Sequence, residues 1–112
     1  MQTENPLEVD LQTVKQKLDQ NEDFVLLDCR EQDEFDLVHI HQAQLLPMSL
    51  IEQKVSELDG QQDKEIIVYC HHGSRSLMVT KWLLGNGFNQ VKSMAGGIDL
   101  WAEQIDSEMT RY

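Results

Sequence analysis

Short apolar runs alternate with amphipathic stretches along the whole chain. Asp10 is placed to cap a helix that carries Leu11, Val14 and Leu18 on one face. Phe24 to Asp28 is a continuous apolar run too short for a helix, which predicts a buried strand. Glu31 to Val38 has the pattern of a short helix with Phe35 and Val38 inward, and Leu45-Leu46 before Pro47 predicts a second strand. Ser49 to Glu52 reads as a capping box, opening a helix that Asp59-Gly60 ends. Ile66-Ile67-Val68-Tyr69, with its β-branched and aromatic residues, is the clearest strand of the chain. A helix from Arg75 to about Leu84 is expected to bury Leu77, Met78, Val79, Trp82 and Leu83 before Gly85-Asn86-Gly87 stops it. Val91 to Met94 is a weaker strand, Gly96-Gly97 a turn, and Ile98, Trp101 and Ile105 share one helical face.

Strand–helix alternation of this kind implies βαβ units: an α/β fold with a mostly parallel sheet of about five strands and helices on both faces. The 112 residues amount to one domain spanning 1–112, with its core over about 6–105 and a short tail from Asp106 that can fold back through Met109 or Tyr112. Nine basic against twenty acidic residues leave a net charge of −11, which disfavours nucleic acid and anionic lipid as partners. The first residues show neither a basic start nor an apolar run, and no stretch has the roughly 20 apolar residues of a membrane span. Cys29 and Cys70 are too few for a disulfide framework. The expectation is a cytoplasmic protein with thiols at rest.

In parallel sheets ligands sit beyond the carboxyl ends of the strands. Two such ends are polar and reactive: Asp28-Cys29-Arg30 and Cys70-His71-His72-Gly73-Ser74-Arg75. The second lies between the clearest strand and a long helix. Gly73 lets such a loop curl, and its backbone N–H groups together with the helix dipole favour an anion. A Cys70 thiolate is such an anion, so its pKa should fall and its nucleophilicity rise. A cysteine after a strand is more often a small buried hydrophobe, but six polar or small residues in a row make poor core material.

Cys70 to Ser76 resembles the active-site loop of rhodanese-like sulfurtransferases. Three further segments are similar to that family in the right order: Asp28, Arg30 and Glu34-Phe35; His39-Ile40, Ala43 and Pro47; and Gly96-Gly97-Ile98 with Trp101. Val38 and Gln42 stand where the family usually has Gly, and Cys29 where it usually has a small apolar residue. The resemblance implies a relay without metal or organic cofactor. Cys70 takes sulfane sulfur from a small donor as a persulfide and passes it to a nucleophile: cyanide, a thiol or a sulfur-carrier protein. It also implies that His71, His72, Gly73, Ser74 and Arg75 line the substrate site, with Asp28, Arg30 and Ser76 supporting the cradle. An acid at position 34, where some thiosulfate-using relatives have Arg, disfavours thiosulfate as donor.

Competing readings remain at this level. A protein-interaction or sulfur-carrier module would use the same loop with little small-molecule turnover. A Cys-dependent phosphatase is disfavoured, because related tyrosine phosphatases carry Cys-x5-Arg whereas four residues separate Cys70 from Arg75 here. Asp28 is expected to pair with Arg75, or merely to cap local backbone. Arg75 either touches substrate or braces the loop, with bracing favoured. Cys29 is read as core filling in preference to a redox partner of Cys70. The four histidines do not match zinc spacings, and no metal is expected.

Overall fold

The computed structural model describes residues 5–112. Five strands form one wholly parallel sheet in the order β1-β5-β4-β2-β3. They are β1 (Glu8–Val9), β2 (Val25–Asp28), β3 (Gln44–Leu45), β4 (Ile66–Tyr69) and β5 (Val91–Met94), and the helices are α1 (Leu11–Asp19), α2 (Gln32–Leu37), α3 (Ile51–Lys54), α4 (Ser74–Leu84) and α5 (Gly97–Gln104). Asp10 caps α1 as expected, its carboxylate accepting from Thr13 N at 2.8 Å.

Alternation along the strands divides the core in two. Leu27, Cys29, Ile66, Val68 and Cys70 face one side and pack with Leu46, Ile51, Leu58, Val79 and Leu83, which places α3 and α4 there. Leu26, Ile67, Tyr69 and Met94 face the other side and pack with Leu11, Val14, Ile98 and Trp101 of α1 and α5. Neighbours β2 and β4 lead their chains in opposite directions, β2 to β3 on one side of the sheet and β4 to β5 on the other. A crevice between diverging strand ends is where α/β sheets hold ligands.

Several sequence expectations need correction. The strand β1 has only two residues and left no hydrophobic signature. The helix expected after Ser49 is instead a short α3 flanked by 3-10 turns at Met48–Leu50 and Val55–Leu58. The capping box lies earlier, at Glu31 and Glu34, while the Ser49 hydroxyl donates to Glu31 Oε1 at 2.6 Å. Met78 is 62% exposed, because the stripe of α4 that turns inward is Ser76, Val79, Thr80 and Leu83.

Candidate active site

The loop after β4 wraps its own first residue. Cys70 Sγ accepts from Gly73 N at 3.1 Å and Ser76 N at 3.3 Å, with Ser76 Oγ 3.4 Å away. Gly73 has φ +115°, a conformation that side-chain-bearing residues rarely adopt, and it lets the chain reverse over the sulfur. Ser76 has one hydroxyl proton and three acceptors around it: the sulfur, Gly73 O at 3.2 Å and Ser93 Oγ at 2.7 Å. Ser93 can donate into Ser76 and free that proton for the sulfur or for Gly73 O.

The opposite side of the loop explains why the N–H groups converge. Ile98 N and Asp99 N, at the start of α5, donate to Cys70 O (2.9 Å) and His71 O (3.0 Å). The carbonyls are held by α5, and the amides are left for the sulfur. This contact demands Gly97, whose φ is +62° and where a Cβ would stand 2.3 Å from His71 O. The sequence showed Gly96-Gly97 as a turn and as part of a segment similar to the family's, with no sign of its contact with the loop. Its service to the loop becomes visible once α5 is seen packed end-on against it.

Cys70 itself is buried, 1% exposed. The thiol lies well below its ordinary value. The neighbouring Cys29 thiol is the largest cause; burial opposes the shift, and the Ser76 and Gly73 donors reinforce it. The Cys29 thiol is driven the other way, by its neighbour Cys70 and by burial. The negative charge therefore resides on Cys70, the sulfur that faces the amides.

Arg75 does not pair with Asp28. Its fork holds Glu34, Nη1 to Oε1 at 2.7 Å and Nη2 to Oε2 at 3.0 Å. Both guanidinium ends are thus engaged by a carboxylate, which is the bracing arrangement. Arg75 in turn holds Glu34 down to about 2, and the acid at the mouth is matched by a cation. Asp28 pairs with wholly buried Arg30, Nε to Oδ1 at 2.9 Å, and Arg30 also donates to Val38 O at 2.6 Å. This pair anchors the end of β2 beneath the loop.

His71 lies between His72 and Tyr112, stacked on the Tyr112 ring at 3.9 Å. Tyr112 Oη accepts from Arg30 Nη1 at 2.8 Å and donates to Glu34 Oε2 at 2.7 Å. Burial, followed by the neighbouring His72, pushes the His71 imidazole below its usual value. The His72 side chain is 66% exposed, with Nδ1 3.8 Å from Asp99 Oδ2. Ser74 is also exposed, at the first position of α4. Sequence reasoning missed Glu34 as the partner of Arg75 and Tyr112 as the bridge between Arg30 and Glu34. Among the described residues no group of three or more His, Cys, Asp or Glu is placed to hold a metal.

The model of the rhodanese-like domain matches residues 10–104. The chain belongs to the rhodanese-like domain family. It is similar to a sulfurtransferase of Allochromatium vinosum, 35% identical over 95 residues that cover 85% of this chain and 87% of that one. It is also similar to a probable adenylyltransferase/sulfurtransferase, MoeZ, of Mycobacterium tuberculosis, 36% identical over 95 residues covering 85% of this chain. There the chain spans about a quarter of the relative's length, 24%. Among solved structures, the human single-domain sulfurtransferase TSTD1 has the same fold, with a TM-score of 0.79 at 21% identity over 89% of this chain and 98% of that one.

Proposed function

We propose that this rhodanese-like domain is a sulfurtransferase that carries sulfane sulfur on Cys70. The observation that carries the reading is the convergence of Gly73 N and Ser76 N on Cys70 Sγ, with Cys29 behind it. Such a cradle suits a thiolate, and it suits a terminal persulfide just above it. In the first half-reaction the thiolate attacks the outer sulfur of a donor, and the donor's remainder leaves with the bonding electrons. In the second, an acceptor nucleophile takes that sulfur and Cys70 departs as the thiolate. The amides and the Ser76 hydroxyl are fixed before either step, so they stabilise the departing anion without reorganising.

Gly73 and Ser76 are the residues that would hold the anionic sulfur, and Ser74 and Arg75 set the turn between them. Arg75 acts through Glu34 to keep the loop closed, while Asp28 and Arg30 support it from below. Because Glu34 is ion-paired, its charge is no bar to thiosulfate. A small thiol, cyanide or a sulfur-carrier protein is the acceptor class, and the acidic surface favours a basic patch on a protein acceptor. No helix among the described residues is long and apolar enough to cross a membrane.

The test is turnover of thiosulfate or an organic thiosulfonate with cyanide, read as thiocyanate, beside hydrolysis of p-nitrophenyl phosphate. Thiocyanate formation that disappears in Cys70→Ser, with phosphate release no higher than in that variant, is the expected result. Phosphate release well above the variant would overturn the reading, since a four-residue Cys-to-Arg spacing should hold a tetrahedral phosphate badly.

A further inference from the structure

Cys29 is a buried thiol that the relay above uses only as a neighbour. Its position is set by register. Asp28 of β2 pairs with Tyr69 of β4, and Cys29 N donates to Tyr69 O at 3.0 Å, so Cys29 and Cys70 are the next residues on adjacent parallel strands. Both belong to the same side of the sheet, packed in one cluster. Adjacent strands lie about 4.8 Å apart, which falls within the roughly 4.4–6.8 Å between α-carbons that a disulfide spans. Both cysteines are free thiols. The two sides of the Cys70 sulfur thus differ: amides gather on the loop side, and a thiol stands on the neighbouring strand.

We propose that Cys29 resolves the Cys70 persulfide, giving a Cys29–Cys70 disulfide and releasing hydrogen sulfide when no acceptor arrives. The inference rests on the sulfurtransferase reading. Cys29 Sγ forms a bond to Cys70 Sγ, and the bond between Cys70 Sγ and the outer sulfur breaks. The outer sulfur leaves with that electron pair and with the proton Cys29 gives up, as hydrosulfide. The two cysteine sulfurs together lose two electrons, and the sulfane sulfur gains them, so no outside oxidant takes part. Return to the two thiols needs a dithiol reductant, which ends as its own cyclic disulfide. The consequence is a domain that transfers sulfur when a nucleophilic acceptor is present and acts as a sulfide-releasing reductase of sulfane sulfur when only a dithiol is supplied.

The experiment loads the full chain with thiosulfate or a polysulfide, removes the excess and follows intact mass and free sulfide without reductant. The wild-type chain should first gain one sulfur, about 32 Da. It should then lose it, ending two hydrogens lighter than the reduced chain, with one sulfide released per chain and a Cys29–Cys70 cross-linked peptide. Cys29→Ala and Cys29→Ser should keep the added sulfur at least tenfold longer and release no sulfide. A wild-type adduct as long-lived as in both variants, with no cross-link, overturns the inference while leaving sulfur transfer intact if cyanide still converts that adduct to thiocyanate. Absence of any adduct, cross-link or released sulfide in wild type and in both variants under every donor overturns both. Should one variant fold poorly, the wild-type mass and sulfide stoichiometry decide alone.

Discussion

Replacing Ser76 by Ala tests whether the sulfur's charge is set by the loop. The side chain is wholly buried and stands 3.4 Å from Cys70 Sγ. A hydrogen bond to a charged group contributes about 1.5–3 kcal/mol, and one pKa unit corresponds to about 1.4 kcal/mol. Losing the hydroxyl should therefore raise the Cys70 pKa by about one to two units, while Cys29 and the Gly73 and Ser76 amides keep the rest of the shift. The same change strips a partner from Gly73 O and from Ser93 Oγ, at a cost of about 1–3 kcal/mol in stability. The pH dependence is specific. Because the folded thiol lies below its unfolded value, the native state binds fewer protons, and its stability rises with pH between the two values. The contribution is complete above the ordinary thiol pKa of about 8.5 and is lost as pH falls through the folded value. In Ser76→Ala this window should narrow from its lower end. The assay is the rate of Cys70 alkylation by iodoacetamide against pH, paired with urea unfolding at several pH values. An alkylation profile that superimposes on wild type, with stability alone reduced, would refute the electrostatic role of Ser76.

Gly97→Ala should lower stability by more than about 2 kcal/mol and slow alkylation of Cys70, because its Cβ meets His71 O; the urea midpoint and alkylation rate check both. Glu34→Gln removes the charge and one of the two oxygens that hold the Arg75 fork and Tyr112, costing about 1–3 kcal/mol near neutral pH. Since Glu34 is depressed to about 2, chiefly by Arg75, that difference should hold above the ordinary carboxylate range and vanish as pH falls toward 2 in acid unfolding of the two proteins. Asp28→Asn leaves the buried Arg30 charge without its carboxylate, and should destabilise by about 3–5 kcal/mol, read by thermal or urea unfolding.

What could be read from the chain followed from local rules. The run Ile66 to Tyr69 declares a buried strand by composition, and the polar loop behind it declares its chemistry because nothing else suits those residues. Phase and pairing were harder. The inward stripe of α4 runs through Ser76, Val79, Thr80 and Leu83, and Met78 lies off it. The Ser49-x-x-Glu52 pattern matched a capping box, but the chain behind Pro47 makes 3-10 turns there and Ser49 serves Glu31 instead. The Glu34–Arg75 pair joins residues 41 apart in sequence, and no local pattern announces such a contact. Cys29 looked like core filling, and by burial it is; its adjacency to Cys70 is a matter of strand register, which two strands separated by two helices and a third strand do not reveal.

The central claim is that Cys70 carries a sulfur atom between two other molecules. Its most direct measurement is peptide-resolved mass spectrometry of the chain after exposure to a sulfane donor, followed promptly by cyanide. One extra sulfur on the peptide containing Cys70, removed by cyanide and absent in Cys70→Ser, is the predicted result. Sulfur found on Cys29 alone, or on neither cysteine under any donor, would contradict it.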